Sequence, residues 1–71
     1  MNDMNEKIEF FLDNNIKVHI DLLDGTFLNG RLIKKVKGNI YWLEEDKLGE
    51  VFVFSKDINR IQQNFKKEVE G

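Results

Sequence analysis

Few side chains in this sequence could carry out covalent chemistry. A nucleophile needs a base close to it, and the chain offers one serine (Ser55), one threonine (Thr26), one histidine (His19) and no cysteine. His19 lies between Val18 and Ile20 in an alternating stretch, with no second histidine to complete a metal site, and reads as an exposed strand residue. Glu44, Glu45 and Asp46 could supply paired carboxylates, but three consecutive acids beside Lys47 and Gly49 read as a solvated turn. No glycine-rich loop is spaced to cradle a phosphate. An enzyme, a metal centre and a cofactor are therefore not expected.

Anion binding is the chemistry these residues do support. Arg31, Lys34, Lys35 and Lys37 fall within seven residues with no acid among them, while most of the acids lie near both ends or in the 44–46 turn. Lys56 follows Phe54 and Ser55, and Asn39 follows Lys37 by two. Lysines attract phosphates, an aromatic ring can stack on a base, and Asn or Ser can bond to a base edge. Each has a plainer reading. The lysines can solvate a turn, Phe54 can be core or interface, and Asn39 can close its own turn. The formal charge of −2 and pI near 5.3 argue against generic nucleic-acid binding, which needs basic surface. The placement of the charges therefore matters more than their sum.

These residues need elements to position them. Met4, Ile8, Phe11 and Leu12 recur at i, i+4, i+7 and i+8, an apolar stripe that predicts a helix over about 4–14, with Phe10 off the stripe. Asp3 and Glu6 are spaced as a capping box, and Asn14-Asn15 disfavours continuation. From Ile16 the period falls to two: Ile16, Val18, Ile20 and Leu22 alternate with polar residues as in a half-buried strand. Asp24-Gly25 signals a tight hairpin, with positive φ expected at Gly25. The second strand runs from Thr26 to Lys35, with Leu28, Gly30 and Leu32 on one face. Gly30 has no side chain to pack, so it marks a bend where a neighbouring strand passes closely, as a small barrel requires. Asn29, beside it, is expected to tolerate alanine. A turn over 36–39 follows, then a strand at Ile40–Leu43 in which Tyr41 and Trp42 take opposite faces, and a turn over 46–49.

Val51-Phe52-Val53-Phe54 implies burial on both faces, yet a chain of 71 residues has no second layer to cover both. Something outside the subunit should cover one. A short strand flanked by Ile58 and Ile61 ends the single domain, barrel about 16–62, followed by a polar tail over 63–71 that is expected to be mobile. So small a domain buries about 60% of its unfolded surface and needs reinforcement. Without cysteine for disulfides or thiolate metal sites, oligomerisation is the reinforcement left. No apolar run approaches the roughly 20 residues that span a bilayer, and a cytoplasmic protein is expected.

Helix, strand, Asp-Gly, glycine-bent strand, apolar third strand and Val-Phe-Val-Phe strand together resemble the Sm-like superfamily. VHIDLLDGTFLNGRL resembles its first motif, with Gly25 and Gly30 at the expected spacing of five. VFVFSKDINRI resembles its second. The short turn between Leu43 and Val51 is closer to the Hfq branch, and the resemblance covers about Met4 to Ile61. It implies a mainly β fold: an N-terminal helix followed by a five-stranded, strongly bent antiparallel open barrel. It also implies a homo-oligomeric ring, a hexamer or else a heptamer, that holds short single-stranded U-rich or A-rich RNA at its pore. Post-transcriptional regulation or an RNA-chaperone role would follow. Taken together with the basic run, it makes Lys34, Lys35, Lys37, Asn39, Phe54, Ser55 and Lys56 the expected RNA-binding residues. Phe54, Ser55 and Lys56 stand where the Hfq family has a Tyr-Lys-His triplet, and Gly38 and Asn39 stand roughly at its Gln-Phe pair, so the second stacking aromatic is missing. RLIKKVKGNIYWL also lacks the usual Asp before the third strand and is one residue longer. These departures leave a second reading, an Sm-fold assembly or protein-interaction module with little RNA affinity.

Overall fold

A computed structural model describes residues 3–65. Helix α1 (Asp3–Asp13) lies against a sheet of β1 (Lys17–Leu22), β2 (Phe27–Lys37), β3 (Ile40–Glu45), β4 (Gly49–Phe54) and β5 (Ile58–Gln63). The helix buries the predicted stripe: Ile8 is wholly inaccessible, Met4, Phe11 and Leu12 pack against the core, and Phe10 faces solvent. It ends at Asn15, which takes φ +53°. The amide of Ile16 reaches the Phe11 carbonyl (3.0 Å) and that of Asn15 the Leu12 carbonyl (3.1 Å). This paired closure uses the left-handed conformation that asparagine tolerates better than most residues.

The sheet is antiparallel throughout, in the order β4-β3-β2-β1-β5. Alternation sends Val18 and Ile20 of β1, Leu32 of β2, Tyr41 and Leu43 of β3, Val53 of β4 and Ile58 and Ile61 of β5 to one interior, where Ile8 joins them. Gly30 is paired with Glu45 across β2 and β3. A Cβ there would run into the backbone of Glu44 and Glu45, so the close approach expected from the sequence is present. Gly25 has φ +95°, as the hairpin demands.

Several expectations are corrected. β2 runs two residues further than predicted, to Lys37, which leaves only Gly38 and Asn39 for the turn. The lysines thus stand on a strand, on alternating sides of it, rather than in a loop. A 3-10 turn (Ser55–Asp57) separates β4 from β5. One expectation stands: Val51 and Val53 face inward while Phe52 is 63% and Phe54 41% exposed, so the subunit by itself covers β4 on one side only. His19 is half-buried, its Nδ1 2.7 Å from Asn29 Oδ1 and its Nε2 3.0 Å from Asp21 Oδ1. Asn29 is therefore no neutral site for alanine, since its Oδ1 also accepts from Asn64 Nδ2 (3.1 Å). The start of the expected tail is pinned as well, because Gln63 belongs to β5 and the Asn64 amide bonds to the Lys17 carbonyl (2.9 Å). The remainder, with Lys66 and Lys67, lies outside the described residues.

Glu45 is the largest departure from the solvated-turn reading. Only 7% exposed, its carboxylate accepts from the amides of Asn29 (3.0 Å), Lys47 (2.7 Å) and Leu48 (2.8 Å). It closes the β3–β4 turn and ties it to β2. The Asn29 amide, then that of Leu48, hold its carboxyl below the ordinary carboxylate range. A depressed pKa contributes stability that is present above the unfolded value, near 4.5, and is lost as pH falls through the folded one. Glu45→Ala should cost on the order of 3 kcal/mol at pH 7, less than three hydrogen bonds to a charged group in full, because Lys47 and Leu48 are exposed and their amides can turn to water. Urea titrations at pH 7 and at pH 3 should show the difference from wild type shrinking on acidification.

Candidate nucleic-acid interface

β3 and β4 bring most of the predicted residues to one end of the sheet. Ile40 pairs with Phe54, the Ser55 amide donates to the Asn39 carbonyl (2.8 Å), and Lys37 pairs with Ile40. Lys37, Asn39, Phe54, Ser55 and Lys56 are thereby neighbours, although Lys37 and Phe54 are 17 positions apart in the sequence. Lys37, Asn39 and Lys56 are exposed. Ser55 is not: at 5% exposure it is part of the turn's packing and presents no face to a ligand.

The other basic residues are dispersed. Lys34 pairs with Trp42, and its Nζ lies over that ring, 5.9 Å from the centroid, within the range of a cation–π contact. Lys35 pairs with Tyr41 on the opposite, helix side of β2, where its Nζ donates to Glu9 Oε2 (2.8 Å). Arg31 Nη1 donates to the Asn15 carbonyl (2.7 Å) and braces the end of α1. Of the four cations that look alike in the sequence, two are engaged with the helix or its end.

Tyr41 completes the helix contact. It is wholly buried, and its hydroxyl donates to Glu9 Oε2 (3.0 Å), with Asn5 Oδ1 at 3.4 Å. Burial, reinforced by the Glu9 carboxylate, pushes the phenol pKa up to about 12, so it remains a donor at any physiological pH. The hydrogen bonds from Lys35 and Tyr41 hold the Glu9 carboxyl below its usual value.

Sequence reasoning left Trp42 and Phe52 out of the site. Their rings meet edge to face, with centroids 6.3 Å apart, on the sheet face that also carries Lys34. The indole N–H of Trp42 is buried with no acceptor. Counting outward from the Glu45–Gly49 pair places Trp42 opposite Phe52, and that count was available once the turn was located. The bulges that put Lys34 beside Trp42 had no signal in the sequence.

This bent five-stranded sheet with its N-terminal helix is the Sm-like fold of the Hfq type. Among solved structures, the chain is similar to the crystal structure of the pleiotropic translational regulator Hfq, with TM-score 0.71, 16% identity, and 89% of this chain and 92% of that one covered. It is also similar to the crystal structure of an Hfq protein from Anabaena sp., with TM-score 0.67, 14% identity and coverage of 87% and 97%. No protein-family model and no curated protein sequence matches it. Among the described residues, no helix is long and apolar enough to cross a membrane.

Proposed function

We propose that this protein is a non-enzymatic RNA-binding module that assembles as a homo-oligomeric ring, most simply a hexamer, in the cytoplasm. It would hold short single-stranded U-rich or A-rich RNA near the pore, in post-transcriptional regulation or as an RNA chaperone. The observation that carries the reading is the convergence of Lys37, Asn39, Phe54 and Lys56 at one end of a sheet whose fold is that of Hfq. Lysines repeated around a closed ring make a local positive funnel on an acidic body. Lys34 and Lys35 flank this end and contribute less, being engaged with Trp42 and Glu9. Ser55 makes no contact with the ligand and serves only to tie this end together, its amide donating to the Asn39 carbonyl.

Assembly has its own support. Among the described residues β4 and β5 each pair on one side only, and unpaired strand edges are templates for another chain. A neighbour's β5 edge on β4 would repeat around a closed ring and would also shelter Phe52 and Phe54. Lys56→Ala should weaken oligo-U binding on the order of 10-fold and lower its salt slope, because each phosphate contact contributes about 0.7 to that slope. Fluorescence anisotropy across a salt series, with sedimentation to show the assembly intact, tests this. If neither oligo-U nor oligo-A binds the wild-type ring at low salt, the RNA-binding reading fails. A protein-interaction module then takes its place, a reading favoured by the diversion of Arg31 and Lys35 toward the helix.

A further inference from the structure

The contact between Lys35 and α1 is a charge contact as much as a packing one. Glu9 Oε2 receives both the Lys35 ammonium (2.8 Å) and the Tyr41 hydroxyl (3.0 Å). The two donors differ in kind: Tyr41 is sealed in the core, while the side chains of Lys35 and Glu9 are 41% and 39% exposed. Tyr41 therefore fixes the carboxylate from beneath, and the ion pair sits at the surface on the strand that also carries Lys34 and Lys37. Water screens such a pair, and it holds its partners weakly. A phosphate could take the ammonium. The carboxylate would stay, held by Tyr41, well inside the roughly 8 Å over which charges interact at physiological salt.

We propose that Glu9 limits the affinity of this face for polyanions, by occupying the ammonium of Lys35 that a ligand phosphate would otherwise engage. The inference rests on reading the face as an anion site. Its effect is to make binding more dependent on Lys37, two residues further along β2, and on Lys56 than the basic run alone implies. Glutamine at position 9 keeps an oxygen for the Tyr41 hydroxyl and removes only the charge, so the helix contact survives.

The experiment compares Glu9→Gln with Glu6→Gln, which makes the same change in net charge at an exposed position of the same helix, each with and without Lys35→Ala. Thermal melts establish that all are folded. Two probes are used: labelled oligo-U by anisotropy over a salt series, and elution from heparin resin. Glu9→Gln should bind oligo-U about three- to tenfold more tightly, with a salt slope steeper by about 0.7 per phosphate contact restored. The gain should vanish in the Lys35→Ala background, and Glu6→Gln should give less than half of it. Equal gains from Glu9→Gln and Glu6→Gln, or a gain that persists without Lys35, overturn the proposal and leave the RNA reading intact. If oligo-U binds no form but Glu9→Gln alone elutes from heparin at higher salt, the proposal stands and the RNA reading falls. If the heparin elution of Glu9→Gln is also no later than that of Glu6→Gln, the proposal falls too.

Discussion

Gly30→Val should cost at least about 3 kcal/mol of folding stability. A Cβ at this position meets the backbone of Glu44 and Glu45 on β3, and backbone within a paired strand cannot swing aside as a side chain can. The strands must separate locally, with loss of the Gly30–Glu45 pairing that leads into the β3–β4 turn. Overpacking of a core commonly costs about 1–3 kcal/mol and occasionally more, and a clash against backbone belongs at the upper end. A domain of 71 residues has about 4–11 kcal/mol to lose, at roughly 0.05–0.15 kcal/mol per residue. Gly38→Ala is the comparison, because open space surrounds that position and the added methyl should change stability by less than about 0.5 kcal/mol. Circular dichroism with urea titration measures both. Equal tolerance of the two changes would mean that the bend at Gly30 is wrongly placed.

Phe52→Asp should break the proposed ring while leaving the subunit folded. At 63% exposure on an open edge strand, Phe52 contributes little to the interior of a single subunit, so its loss is felt only where a neighbour covers it. There, an aspartate would be buried without a partner. The dissociation constant of each contact should rise at least about 100-fold, equivalent to roughly 3 kcal/mol. Val53→Asp is unsuited to this test. Val53 is 3% exposed in the core, and a charge there would unfold the subunit before assembly came into question. Sedimentation at micromolar concentration should show a closed oligomer for wild type and a folded monomer for Phe52→Asp. A stable wild-type monomer would remove both the ring and the pore argument. Emission from Trp42, the single tryptophan and edge-to-face with Phe52, offers a second readout of the same event.

The elements themselves were legible in the sequence because their signals are local. Period 3.6 in 4–12 gave the helix and its buried stripe, period two from Ile16 gave β1, and Asp24-Gly25 and Gly30 announced a turn and a bend that only glycine accommodates. Tyr41 and Trp42 divided between inside and outside as neighbours on a strand must. The length of β2 was hidden for a physical reason: beyond Leu32 every residue is exposed, so no alternation marks the strand and its lysines read as a turn.

What each polar side chain does was decided by the tertiary structure. Glu44, Glu45 and Asp46 are three adjacent acids by composition, yet bending the sheet at Gly30 brings the Asn29 amide to Glu45 and makes it a buried clamp. Arg31, Lys34, Lys35 and Lys37 form one basic run, yet the two bulges in β2 and the placement of α1 send them to a carbonyl, a tryptophan, a glutamate and the open end of the sheet. A local pattern reports which face a residue takes. Its partner depends on elements distant in sequence and on how they pack, so only the folded chain determines which of its charges remain available for binding.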